Sequence, residues 1–173
     1  EIRGMNHQNI AIELLKKLLL DEIRVRSKRN LIQGRKLSEM LDNAIKKYTG
    51  RILSSAEIIQ ELIDMAREVR DSDKRGEDLS MSDYELAFYD ALADNESAVQ
   101  VLGNEVLRDL ARVLVDKVKK NTTIDWTIKE SVRARLRVIV KRTLAKYGYP
   151  PDKQKLATEN VLKQAELLSV EWT

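Results

Sequence analysis

Apolar residues recur along this chain at intervals of three and four, and nothing alternates with period two over a useful length. That pattern predicts helices and no sheet. A first helix is expected from about Gln8 to Ser27, with Ile10, Leu14, Leu15, Leu18 and Ile23 on one side. A second, about Asn30 to Tyr48, sets Leu37, Met40, Leu41, Ala44 and Ile45 on a stripe, with Gly50 as its C′ residue. One long helix bent near Lys28 fits the same pattern. Ser54 or Ser55 then caps a third helix to about Arg70, with Ile58, Ile59, Leu62, Ile63, Ala66 and Val69 at helical spacing.

Asp71 to Met81, rich in Asp, Ser, Lys and Gly, reads as an acidic loop. Ser82-Asp83-Tyr84-Glu85 has the form of a capping box, and a short helix follows to about Ala93. The next helix, about Ser97 to Lys119, is expected to bury Val99, Leu102, Val106, Leu110, Val113, Leu114 and Val118. A basic helix from about Trp126 ends at Gly148, because Pro150 and Pro151 forbid its continuation. Pro151 or Asp152 opens a last helix to about Leu168. The sum is one all-α domain over residues 1–173, a compact bundle of about six to seven helices.

Composition agrees with that picture. At 43% hydrophobic and 34% charged, with six Gly and two Pro in 173 residues, the chain can bury one core and is rich in helix formers. Cysteine is absent, which removes disulfides and thiolate metal sites and fits a reducing cytoplasm. No apolar run approaches the roughly 20 residues a membrane-spanning helix needs. The chain opens at Glu1, which reads as a fragment of a longer polypeptide.

Charge is segregated. The total is only +3, yet between Trp126 and Gly148 stand Lys129, Arg133, Arg135, Arg137, Lys141, Arg142 and Lys146 against Glu130 alone. A second basic zone, residues 16–36, contains Arg26, Lys28 and Arg29, and residues 57–97 are strongly acidic. On the basic helix Val132, Leu136, Ile139, Val140 and Leu144 share the core face. Arg133, Arg137 and Lys141 follow along one edge of it, and Arg135, Arg142 and Lys146 along the other. Such side chains lay their stems over apolar surface and present charge outward. Phosphate contacts and an acidic partner surface both fit, and so does a solvated face bridged to the chain's own acids. Five phosphate contacts would give a salt slope of about −4.5, roughly a 500-fold loss between about 50 and 200 mM. With no recognition motif or aromatic ladder beside the charge, contact would be to backbone and carry little sequence preference.

Catalytic chemistry has little to work with. No Gly-rich phosphate loop occurs, and the lone His7 lies near the start. Asp71, Asp73, Glu77 and Asp78 lack the spacing of a calcium loop and read as a polar turn. Pro151-Asp152 opens like a Pro-Asp…Glu-x-Lys nuclease site, but Glu159, Glu166 and Glu171 lead to Val161, Leu168 and Thr173. Tyr84, Phe88 and Leu92 read as a packed helix face, and Trp126, Tyr147 and Tyr149 as anchors of the Pro-Pro turn. Trp172 is a packing residue or a contact for a neighbour.

Two blocks carry a resemblance. One is Ser82-Asp83-Tyr84-Glu85-Leu86-Ala87-Phe88-Tyr89-Asp90-Ala91-Leu92-Ala93. The other runs from Trp126 through Ala165, above all Val132-Arg133-Ala134-Arg135-Leu136-Arg137, Lys146-Tyr147-Gly148-Tyr149-Pro150-Pro151-Asp152 and Val161-Leu162-Lys163-Gln164-Ala165-Glu166. Together, in this order, they resemble the C-terminal helical domain of the motor (R, or HsdR) subunit of type I restriction-modification enzymes, from about Gln8 to Leu168. Arg135 and Leu136 stand where Lys and Met are common in that family, and Thr158 where an apolar residue is usual.

The resemblance implies a cytoplasmic bacterial or archaeal protein whose parent is an ATP-dependent, Mg2+-requiring deoxyribonuclease that pumps DNA. Its catalytic motifs have no counterpart here, so no catalytic residue, metal or cofactor is assigned to this segment. The implied role of this segment is docking of the motor onto a methyltransferase core of M and S subunits, near the path of double-stranded DNA, with the helicase domains of the same chain as neighbours. The candidate contacts are then Arg133, Arg135, Arg137, Lys141, Arg142 and Lys146, with Arg26, Lys28 and Arg29. A helical scaffold that only stabilises the helicase domains is the alternative.

The capping box gives the first testable expectation. Replacing Ser82 with Ala should lower stability by about 1 kcal/mol in chemical denaturation.

Overall fold

The structure, a computed structural model, describes residues 2–122 and 129–172. Among them eight helices follow one another with no strand: α1 (Ile2–Ser27), α2 (Leu31–Thr49), α3 (Ser55–Ser72), α4 (Arg75–Asp78), α5 (Asp83–Ala93), α6 (Glu96–Asn121), α7 (Glu130–Lys146) and α8 (Gln154–Trp172). The fold is all-α, as the hydrophobic periodicity dictates. The chain divides into two units, one holding the described residues up to Ser27 plus Gln33–Leu79, the other Lys28–Ile32 plus the described residues from Ser80 onward.

In the first unit α1 packs on α3. Ile12, Leu19, Ile23, Leu37, Leu41, Ala44, Ile58, Leu62, Met65 and Val69 form its core. The buried side of α1 is rotated from the expected one: Ile12, Leu19 and Ile23 are inside, while Ile10, Leu14 and Leu18 are exposed. Apolar residues lie on more than one side of this helix, so spacing alone does not choose the face that α3 covers.

Ser54 and Glu57 form a capping box at α3, with Ser54 N–H donating to Glu57 Oε2 at 2.7 Å. The left-handed residue after α2 is Arg51, at φ 61°, rather than Gly50. Gly34 is required for room: a Cβ there would stand 2.7 Å from the Ser27 Cα.

The expected loop from Asp71 to Met81 is shorter than its polar composition suggested. α3 continues to Ser72, whose hydroxyl donates to the Val69 carbonyl at 2.6 Å, and residues 75–78 make a further helical turn. Asp73 beyond the helix end accepts from Arg26 Nη1 at 2.6 Å.

In the second unit α5 packs on α6 and α8, and α7 on α6 and α8, so the four close into a ring. Phe88, Leu92, Leu107, Leu110, Leu114, Val118, Leu136, Val140, Leu144, Val161 and Ala165 fill it. The Ser82–Glu85 capping box opens α5 as expected. α6 is broken at Gly103, whose φ of 80° no ordinary helical residue adopts. The break shifts the register, so Leu107, Ala111 and Val115 are buried where Val106 and Val113 were expected.

α7 ends in a Schellman turn, with Gly148 at φ 78° and Tyr149 N–H donating to the Leu144 carbonyl at 3.0 Å. Tyr149 is then carried into the core, where its hydroxyl donates to the Leu92 carbonyl at 2.8 Å. Pro150 to Lys153 form a turn, which delays α8 to Gln154. Thr158, in a buried position, satisfies its hydroxyl on the Gln154 carbonyl at 2.6 Å.

The break between α1 and α2 is fastened within this unit. Gln164 of α8, wholly buried, accepts from the Leu31 N–H at 2.7 Å and donates to the Arg29 carbonyl at 2.8 Å. Asn30 between them donates to the buried Asp90 carboxylate at 2.7 Å. Losing Gln164 strands one donor and one acceptor, each costing about 1–3 kcal/mol when buried. Gln164→Ala should therefore destabilise this unit by about 3 kcal/mol and accelerate hydrogen exchange at the Leu31 amide. Unchanged exchange there would refute the assignment.

Burial pushes the Tyr149 phenol up to about 12, with an amide contact from Asn95 opposing the rise and Asp94 adding to it. Below an ordinary tyrosine value of about 10 the phenol is neutral in both states and its burial contributes fully. Between about pH 10 and 12 only the unfolded chain ionises, so stability should fall by roughly 3 kcal/mol at most. Alkaline denaturation of the chain and of Tyr149→Phe, which lacks the ionisation, should diverge in that window.

Candidate functional site

α7 presents the basic residues. It starts at Glu130 after Lys129, which supplies no side-chain cap, and Trp126, the expected start, lies outside the described residues. Val132, Leu136, Val140, Thr143 and Leu144 are buried and Ile139 is half-buried, so the core face is the expected one. The cations consequently fall on its two flanks.

The flanks differ. On one, Arg133 Nη2 lies 2.7 Å from Glu166 Oε2 and Arg137 Nε 2.9 Å from Glu159 Oε1, both acids being on α8. These side chains are 38–46% exposed, so water screens the pairs and each contributes no more than about 1 kcal/mol. Lys141, next on that edge, is exposed and has no ion-pair partner among the described residues. On the other flank Arg135, Arg142 and Lys146 are exposed, again without a carboxylate partner among the described residues. Arg135 Nη2 donates to the Asn121 carbonyl at the end of α6, 3.2 Å away.

That bond brings in cations that charge counting on α7 alone omits. The last turn of α6 carries Lys119 and Lys120. Lys120 is exposed, Lys119 lies 4.5 Å from the Tyr84 ring centre, and Lys117 Nζ donates to Thr143 Oγ1 at 3.1 Å. The signal, three lysines in the four residues 117–120, is present in the sequence just upstream of the counted window.

The second basic zone, residues 16–36, is divided between the two units. Arg26 is turned inward in the first unit, its side chain 16% exposed, bound to Asp73 at 2.6 Å and near Glu22 at 3.8 Å. The bond from Arg26 holds the Asp73 carboxyl below its ordinary value despite opposing desolvation. Lys28 and Arg29 are exposed in the turn that belongs to the second unit.

His7 is exposed, Phe88 and Leu92 are core, and Tyr89 donates its hydroxyl to Asn104 Oδ1 at 3.1 Å. Among the described residues no three His, Cys, Asp or Glu side chains converge as a metal site. No helix among the described residues is long and apolar enough to cross a membrane.

Comparison with known proteins converges on one family. Residues 1–171 match the family described as type I restriction enzyme HindI endonuclease subunit-like, C-terminal. The type I restriction enzyme HindI endonuclease subunit of Haemophilus influenzae is 39% identical over 172 residues, 99% of this chain and 16% of that protein. A putative type I restriction enzyme MjaIXP endonuclease subunit of Methanocaldococcus jannaschii is 31% identical over 151 residues, 86% of this chain and 14% of that protein. No solved structure matches. The chain therefore spans about a sixth of the length of these relatives.

Proposed function

The chain belongs to the family of C-terminal segments of type I restriction endonuclease subunits, and from that premise we propose that it docks the motor onto the methyltransferase core and touches the DNA backbone. It is a cytoplasmic, non-catalytic part of the enzyme. Cleavage, with the ATP and magnesium that translocation consumes, belongs to other parts of the parent subunit. Docking involves the M and S subunits, and the helicase domains of the parent chain are its neighbours.

One observation carries the DNA contact: exposed Arg135, Lys141, Arg142 and Lys146 on α7, without carboxylate partners among the described residues. Phosphate backbone is the ligand such a surface recognises, through electrostatics and without base reading. The scaffold reading draws on the Arg133–Glu166 and Arg137–Glu159 pairs, which use part of the same charge internally.

A salt titration separates the two. If four phosphates are met, binding of the chain to random duplex DNA should fall with a log–log slope of about −3.6, roughly 150-fold between about 50 and 200 mM salt. An assembly of M and S subunits should compete if core and DNA share this surface. Absence of any shift at low salt would leave the scaffold reading standing.

A further inference from the structure

Resting on that DNA-contact reading, we infer that the two edges of α7 have different tasks. Arg135, Arg142 and Lys146, extended by Lys120 of α6, contact duplex phosphates, whereas Arg133 and Arg137 are engaged by carboxylates of α8 and withheld from phosphate. The sequence treats the edges as equivalent. The structure separates them through what lies beside each.

A phosphate approaching Arg133 or Arg137 meets the carboxylates of Glu166 and Glu159, already at 2.7 and 2.9 Å from the guanidinium nitrogens. It has to displace them or accept their repulsion. No such acid guards the opposite edge among the described residues. Arg135 gives one donor to the Asn121 carbonyl and keeps the rest of its fork. The same bond seats the end of α6, with exposed Lys120 next to Asn121, against that edge. The acid one turn before Lys120 is Asp116, exposed and without an ion pair among the described residues.

A linear row of exposed cations favours a nucleic-acid backbone over an acidic protein. At about 100° per residue Arg135, Arg142 and Lys146 fall within roughly 40° of one another. They are separated along the axis by roughly 10 and 6 Å, at about 1.5 Å per residue. The solvent face beside them carries Ser131, Ala134, Val138 and Ala145, all exposed and, apart from Val138, small. A protein interface centres on aromatic or large apolar anchors, and this face offers Val138 with no aromatic beside it. A flat, small-residue strip beside a row of cations lets a phosphate chain lie close.

The test compares salt slopes for a labelled random duplex. The unaltered chain is measured beside Arg135→Gln/Arg142→Gln/Lys146→Gln and beside Arg133→Glu/Arg137→Glu/Glu159→Arg/Glu166→Arg, which reverses both bridges at constant net charge. The Gln triple should flatten the slope by about 2.7, or 0.9 per lost phosphate contact, while the bridge reversal leaves it unchanged. Should the reversal fail to fold, Arg133→Gln/Arg137→Gln takes its place and should likewise retain the slope. Equal flattening by both sets, or flattening by the bridged set alone, overturns the inference and leaves DNA contact standing. No binding by the unaltered chain removes the DNA reading itself. Loss of M and S capture with unchanged DNA slope in the Gln triple assigns this edge to an acidic protein, and the inference fails.

Discussion

The second unit depends on how α8 is seated, and α8 is seated by a buried amide. Between Ser27 and Leu31 the chain has left one helix and not yet entered the next, so its backbone groups lack helical partners. Gln164 answers two of them with one side chain, and the Asn30–Asp90 bond holds the residue between. A buried side chain with both ends committed cannot turn without stranding a donor and an acceptor, so the rotation of α8 about its axis is set. At about 100° per residue Glu159 and Glu166 then emerge within roughly 20° of each other and about 150° around the helix from Gln164. They face α7 because Gln164 faces the other way.

The Arg–Glu pairs are therefore consequences of packing more than causes of it. Each joins half-exposed partners in a solvent-screened setting, whereas a buried Leu136 or Leu144 contributes about 1.5–3 kcal/mol. The apolar face of α7 decides where the helix lies. The pairs then decide which of its flanks keeps net positive charge, an electrostatic difference made cheaply.

Local chemistry made much of this legible. Ser54 with Glu57, and Ser82 with Glu85, announce helix starts that need only four residues to work. Gly148 before Pro150 announces the end of α7, and an isolated basic helix shows its core face through Val132, Leu136, Val140 and Leu144. What escaped depends on partners distant in sequence. The face of α1 is chosen by α3, and the apolar positions of α1 permit more than one choice. The shifted burial in α6 follows from a positive φ at Gly103, and an isolated Gly in a helical pattern does not announce it. Arg26 looked like part of a basic patch because its acid, Asp73, lies 47 positions away. The internal bridges of Arg133 and Arg137 depend on the orientation of α8, which a buried Gln fixes and no periodicity reveals.

The same packing bears on what a C-terminal segment can present to a partner. A surface positive along its whole circumference would take a polyanion in any orientation about the helix. Pairing Arg133 and Arg137 with carboxylates from the neighbouring helix leaves Lys141, among the described residues, as the unpaired cation of that flank, and so the denser row opposite gives a preferred side of approach. That restriction requires α8 to be fixed before any ligand arrives, since an acid free to swing away guards nothing. Gln164 supplies the fixity without touching the charged surface. A buried hydrogen-bonded side chain on one face of α8 and an electrostatic bias on the other are two results of the same packing.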